Sequence, residues 1–533
     1  MLGHLLALEM AHVAVEESIR RGATFADARF EIHQREDITV RNGEVRRALI
    51  RVERGLGVRT LVNGAWGFAS VSNPTRHDAT VIARRAADVA RAAAVVQERS
   101  VELAFEPPHA GVFRTPIQRD PLAVPLESKL ALCFAIDEKA RISPLVKQVE
   151  STFLAHRVRK LYVSSEGSEL DQDLVHTGFG FSVGASDGQD FQVRSYPDAH
   201  GGLVSGRGWE AIESQPWAES APKVAAEAIA LLTADPCPAG KRALILAGNQ
   251  MALQIHESCG HPTELDRVLG SERNFAGASF LVPERLGNYQ YGSRHVTLYA
   301  DAREAGGVGS FGFDDEGVEA QRVDLVTEGR FSGYLSSRES ASRVGLKRSS
   351  GAMRANSYAT LPLVRMTNVS LEPGTGGNLE ALIADTKDGI LMETNRSWSI
   401  DDLRYNFQFG CEAAWEIKDG KKGRLLKNPV YAGITPQFWG SMDAVCDKSE
   451  WALYGVTNCG KGQPMQALSV GHGTAPGRFQ GVTMGSKASE LHLEPAALPP
   501  VVSHPEAAAA LPRRQKPKAS TKKPKSGRKK PRT

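Results

Sequence analysis

The segment Asp235–Arg242 reads DPCPAGKR, and two prolines and a glycine this close together end any helix that reaches them. Upstream of it the hydrophobic pattern mixes helical and strand periodicity; downstream it is nearly all strand. Four upstream stretches repeat apolar residues at helical spacing: MLGHLLALEMAHVAVEESIRRG, with Leu6, Met10 and Val13 on one face, then RHDATVIARRAADVARAAAVVQ, ESKLALCFAIDEKARI and APKVAAEAIALLTA. ADARFEIHQ, DITVRNGEVRRALIRVE and GVRTLVNGAWGFASV cluster β-branched residues. Asn42-Gly43 and Asn63-Gly64 supply two-residue hairpin turns, because both residue types accept positive φ. EPPHAGVFRTPIQRDPLAVP reads as an irregular crossing segment, and strands resume from about Val146 to Val193. After the break, ALILAG predicts a strand and NQMALQIHESCG a short helix. Strands with tight turns at Glu328-Gly329 and Asp419-Gly420 then predict a curved, largely antiparallel, barrel-like domain.

The expected class is therefore α+β. Residues 1–236 form a mixed α/β N-terminal domain and residues 241–485 a β-rich catalytic domain carrying the short motif helix. Residues 486–533 turn into Ala/Pro/Lys low complexity and are expected to be disordered. With 533 residues, 41% of them hydrophobic, the chain can bury large cores. No stretch reaches the roughly 18 apolar residues of a membrane helix, and the opening segment carries Glu9, Glu16 and Glu17 with no basic residue ahead of them. A membrane or export role is not expected. Eleven Lys and Arg between Arg513 and Thr533 exceed the whole net charge of +4, so residues 1–512 carry −7. Six cysteines without a signal peptide predict a reducing cytoplasm, where a special cysteine is a ligand or a nucleophile.

The informative segment is LQIHESCGHPTELDR, with His256, Glu257 and His261. Two imidazoles ligate a borderline metal such as zinc, and the adjacent carboxylate is placed to act as a general base. On an ideal α-helix, positions i and i+5 lie ~140° apart and cannot chelate one ion. Either a π-bulge or an early end to the helix removes the difficulty. Gly260 and Pro262 favour the second, which predicts His256 on the helix and His261 just past its end, folded back. Ala252, Ile255, His256 and Cys259 share an inward stripe. The alternative is a pair of ordinary histidines satisfied by backbone hydrogen bonds. TNCGKGQP places Cys459 in a Gly-rich loop beside Lys461; a thiolate there, ~2.3 Å from zinc, completes a three-ligand site with an open position. Taken alone, Cys459 reads as a buried thiol.

Together with FADARFEI, GVRTLVNGAWGFAS, HESCGHPTELD, SFGFDDEG, LPLVRMTNVSLEPG, NCGKGQP and GHGTAPGRFQGV, these features resemble the TldD/TldE (PmbA) peptidases, specifically the TldD-like catalytic subunit. The resemblance covers most of residues 5–485. It implies a zinc metallopeptidase acting on small or unfolded peptides, with one ion per chain, ligands His256, His261 and Cys459, and Glu257 as catalytic base. It also implies pairing with a TldE-like subunit that lacks the zinc motif; a homodimer fits equally well. Cys259 stands where a small apolar residue is expected and is assigned to packing.

Zinc would acidify its water and polarise the scissile carbonyl, and Glu257 would carry the proton to the leaving amine. Glu264 and Asp266 are candidates to orient a ligand imidazole, against a solvated loop. His472, in a later Gly-rich loop, is a candidate oxyanion donor, against a structural histidine. Asp314, Asp315 and Glu316 read as a solvated β-turn rather than a receptor for a substrate amine. Competing functions are a peptide-binding or modulatory protein with a structural zinc, a hydrolase of non-peptide amides, and nucleic-acid binding through KKPKSGRKKPR. That tail would give salt-sensitive, sequence-blind association and has no aromatic residue for base stacking, so it reads as solvated.

Overall fold

Residue type alternates along strand β1 (Phe25–Arg41) and sets the N-terminal architecture. Ala26, Ala28 and Phe30 point to one face and Asp27, Arg29, Glu31 and His33 to the other. β1 pairs antiparallel with β2 (Glu44–Val62) and with β4 (Val146–Ser164), while β3 (Ala65–Ser72) and β5 (Glu169–Ser186) extend the sheet outward. The β1–β2 and β2–β3 turns are the Asn-Gly pairs, with φ of 53° and 74° at Asn42 and Gly43 and 52° and 76° at Asn63 and Gly64. Within the expected crossing segment, Ala110–Arg114 forms a short strand parallel to β5. The computed structural model describes residues 2–491, except 200, 275 and 276. From residue 492 onward the expected disordered tail lies outside the described residues.

The apolar face of this sheet is covered by helices. α1 (Leu2–Arg20) and α2 (Arg76–Val96) pack on Ala26, Ala28, Phe30 and Val58. α3 (Leu126–Ala140) and α4 (Trp217–Thr233) pack on Val149, Phe153, Phe179 and Val183. α2 starts at a capping box between Thr75 and Asp78. Its alanine face lies so close to β3 that a Cβ on Gly67 would stand 2.0 Å from the Ala86 carbonyl.

The polar face of the same sheet is turned toward the second half of the chain, and both sides are dry at the contact. Lys160 binds Asp315 at 2.5 Å, and Arg59 binds Glu316 at 3.2 Å. Asp314 accepts from the backbone N–H groups of Glu316, Val318 and Met353. These three acids are 2–3% exposed, so the expected solvated turn is instead a buried lock. A run of acids reads as surface in sequence because its partners lie far away along the chain.

In the second half, β6 (Gly240–Leu246), β7 (Asp388–Ile400), β8 (Asn406–Lys418) and β9 (Val430–Ile434) join the last strand of the chain, Gly477–Gly485, in a closed five-stranded barrel. Only β6 and β7 run parallel. α5 (Gly248–Ile255) follows β6 directly, and Gln250 and Gln254 hold the Tyr431 hydroxyl of β9. A separate hairpin of β10 (Ala452–Lys461) and β11 (Gln466–Thr474) stands beside the barrel. The fold is α+β with a barrel in its C-terminal half, as the pattern of residues implied. No helix among the described residues is long and apolar enough to cross a membrane.

Candidate metal centre

α5 does not stop early. Its continuation, His256–Gly260, is a π-turn in which the His261 N–H bonds the His256 carbonyl, and His261–Thr263 follows as a 3₁₀ turn. The expected helix end is thus replaced by the π-bulge. Gly260 and His261 both keep right-handed helical backbone, with φ −55° and −61°. Three local contacts make this possible. The Ser258 carbonyl, which the missing N–H of Pro262 would otherwise orphan, accepts from the Tyr291 hydroxyl at 2.8 Å. Thr263 Oγ1 bonds the carbonyls of Cys259 and Gly260. Gly260 has no Cβ to meet Met366 Sδ, which would lie 2.1 Å away. The wider turn stacks residues 256 and 261, and their rings sit 4.9 Å apart at 88°.

Cys459 comes from β10 and not from a loop; the turn itself begins beyond Lys461. His472 likewise lies on β11. The glycines that read as loop serve close approach: a Cβ on Gly471 would stand 2.1 Å from Asn368 Oδ1 and one on Gly473 2.0 Å from the Trp451 ring. One nitrogen from each of His256 and His261 and the Cys459 sulfur lie within 4.8 Å of one another, all three buried.

The hydrogen bonds fix the tautomers. The Val369 carbonyl can only accept, so His472 Nδ1–H donates to it at 2.9 Å. The bare Nε2 of His472 then accepts from His256 Nδ1–H at 2.8 Å. His256 is left with an unprotonated Nε2. On the other side His261 Nδ1–H donates to Glu264 at 3.0 Å, and its bare Nε2 faces Cys459 Sγ at 3.8 Å. Burial holds His261 and His472 well below the usual imidazole range and lowers His256 too, against the pull of Glu257 and Glu264. Burial pushes the Cys459 thiol up, but His261 and Arg365 beside it outweigh that and leave it below its ordinary value. Two lone pairs and an acidified thiol converge, a donor set that suits a borderline cation.

Of the residues singled out around this cluster, Glu264 orients an imidazole; Asp266 does not. Asp266 instead takes the buried Lys461 ammonium at 2.7 Å. His472 has both ring nitrogens engaged inside the protein, so the expected oxyanion donor has no nitrogen left for a substrate. Cys259 is fully buried and burial pushes its thiol up, as packing requires. Glu257 lies beside a cavity of about 320 Å³ that His256, His261, Cys459, Trp398 and Arg404 also line. Arg404 donates to Glu257 Oε2 at 2.9 Å. It sits in the β7–β8 turn at φ 62°, a left-handed conformation that costs a non-glycine residue about 1 kcal/mol or more. Its N–H bonds Asp401 and its carbonyl accepts from Thr435.

Three family models match the chain: PmbA/TldA metallopeptidase domain 1 over residues 26–94, the central domain over 119–234 and the C-terminal domain over 239–485. The chain belongs to the TldD/PmbA metallopeptidase family. A metalloprotease of Methanocaldococcus jannaschii is 27% identical over 86% of this chain and 96% of its own. A zinc metalloprotease TldD homolog of Saccharolobus solfataricus is 20% identical over 86% and 98%. The crystal structure of TldE from Thermococcus kodakarensis has the same fold, with a TM-score of 0.65 at 16% identity over 89% of this chain and 99% of that one.

In a TldD/PmbA metallopeptidase a metal is required, and His256, His261 and Cys459 are the described residues with the donors to hold one. Four residues of this centre were not singled out as functional from the sequence: Arg404, Lys461, Arg267 and Arg365. Only Lys461, beside the cysteine, gave a local signal. Arg267 meets Glu264 at 3.4 Å, and Arg365 donates to the Cys459 carbonyl.

Proposed function

We propose that this chain is a zinc-dependent peptidase for small or unfolded peptides, with zinc on His256, His261 and Cys459 and Glu257 as general base. The observation that carries the reading is the convergence of one ring nitrogen each from His256 and His261 with the Cys459 sulfur, at the edge of a cavity that Glu257 also lines. When bound, zinc supplies the Lewis acid that acidifies a water and polarises the scissile carbonyl. Glu257 accepts that water's proton and returns it to the leaving amine. Arg404 holds the Glu257 carboxylate in one orientation toward the cavity. A space of about 320 Å³ admits an extended segment and excludes a folded domain.

With three protein donors and a cavity on the remaining side, an open position favours catalysis over a purely structural zinc. The six free, buried cysteines support the reading of a reducing compartment and with it a cytoplasmic enzyme. Its partner is a TldE-like chain or a second copy.

The test is metal content measured beside peptide hydrolysis. Glu257→Ala should keep one zinc per chain and lose hydrolysis, whereas Cys459→Ser should lose most of the metal. Wild-type rates from Glu257→Ala would refute the assignment.

A further inference from the structure

A second cavity, of about 400 Å³, lies between the polar face of the N-terminal sheet and the β10–β11 hairpin. Its cations are mostly matched. Lys160 is paired with Asp315 and Glu31, Arg35 with Asp37 and Arg51 with Glu53. Arg354 is not. Its guanidinium donates to the carbonyls of Met366 at 2.8 Å and Ser469 at 2.9 Å and rests near the Phe311 ring. No carboxylate among the described residues comes within 4 Å of it. Three of its five N–H donors are without a protein acceptor among those residues. Asp315 is the nearby acid that acts on it, but its oxygens are engaged with Lys160, Arg29 and the Ala355 N–H. Burial first, then the neighbouring Arg365, bring the Arg354 pKa down to about 10, against the weaker pull of Asp315 and Cys459.

The position of this charge relates the cavity to the metal centre. Ser469 follows Leu468, and Leu468 pairs with Cys459 across the hairpin. Thr457 lines this cavity while Val456, Asn458 and Cys459 line the one at the metal centre, and strand spacings put the guanidinium roughly 10 Å from the Cys459 sulfur in a straight line, about the length of three extended residues. A planar guanidinium with free donors is matched by a carboxylate, in a bidentate pair. Each peptide substrate carries one such group at its C-terminus.

We propose that this cleft receives the C-terminal carboxylate of the substrate, anchored by Arg354, so that short C-terminal fragments are released at the metal centre. This rests on the peptidase reading above. The reaction stays a hydrolysis: water adds across one amide, the C–N bond breaks, and the fragment leaves with the new amine.

The test compares zinc-loaded full-length protein on one peptide with a free C-terminal acid, its C-terminal amide, and the amide with a terminal Glu side chain. The acid should be favoured about tenfold or more in kcat/KM, chiefly through KM, as loss of a charged hydrogen-bonded partner implies. Mass spectrometry should show fragments of about two to four residues leaving first. Arg354→Gln should erase the preference and Arg354→Lys should keep part of it. Equal rates on acid and amide by wild-type protein would overturn the inference while leaving the peptidase reading intact, provided Glu257→Ala is inactive. The Glu-terminated amide doing as well as the acid would also overturn it, by assigning the cleft to acidic side chains. Should Glu257→Ala cleave like wild type, the assignment of Glu257 as general base falls; calorimetric titration of Glu257→Ala with acid and amide still decides whether the cleft selects a carboxylate.

Discussion

Arg404 crosses from the β7–β8 turn to Glu257 and holds one carboxylate oxygen at 2.9 Å, with both side chains largely buried. The pair leaves the other Glu257 oxygen without a hydrogen-bond partner among the described residues, beside the metal cluster. Arg404→Met removes the fork without filling the cavity with charge. The expected outcome is a fall in kcat of about 10–100-fold from a misplaced base, with zinc content unchanged. Steady-state kinetics beside metal analysis check it; a loss of zinc would show that Arg404 supports the ligands instead.

His472 reaches His256 at 2.8 Å and the Val369 carbonyl at 2.9 Å. This chain sets which nitrogen of His256 carries its proton. His472→Leu keeps the volume but abolishes the acceptor, so His256 can turn its protonated nitrogen toward the metal. Zinc affinity should fall about 10–100-fold, read by competition with a chromogenic chelator. Hydrolysis by the fully loaded variant should stay within a few-fold of wild type.

The legible part of the centre is the part that depends on residue type and short spacing. His256, Glu257 and His261 lie within six consecutive residues, and the Asn-Gly turns carry their φ preference in the two residues themselves. The backbone preference of Pro262 alone points to a helix end before His261; Tyr291 and Met366, which make the π-turn workable, are remote in sequence. The acids at 314–316 and the cysteine at 459 likewise owe their setting to residues far along the chain. Asp315 meets Lys160 across 155 positions, and the glycines that suggest loops look so until Leu363 is seen against Gly462 beyond Cys459, and Asn368 and Trp451 against Gly471 and Gly473 on either side of His472. Arg404 has no sequence signature, since its role exists only once β7 and β8 have placed it over Glu257.

Glu316 accepts from Arg59 Nη1 at 3.2 Å and from the Arg338 N–H at 2.7 Å, bridging the two halves of the molecule without exposure to water. Glu316→Ala leaves the Arg59 guanidinium short of a partner, although Asp27 still holds its other side. The expected loss is about 3 kcal/mol of unfolding free energy, measured by urea denaturation. A change under 1 kcal/mol would show that Asp27 alone suffices.

His156 and His176 face each other across β4 and β5 in the larger cleft. Burial, then the neighbouring His176 and His33, hold His156 down to about 3, and burial with Arg354 holds His176 to about 4. In the unfolded chain each takes a proton near 6.5. The unfolded state therefore binds more protons between those values, so the stability contributed by the neutral rings is complete above pH 6.5 and falls away as pH drops toward 4. Water in the cleft screens part of this, leaving a loss of about 2 kcal/mol between pH 7 and pH 5. Urea midpoints at the two pH values should converge in the His156→Gln/His176→Gln double variant. If the double variant loses as much stability on acidification as wild type, the sensitivity belongs to other groups.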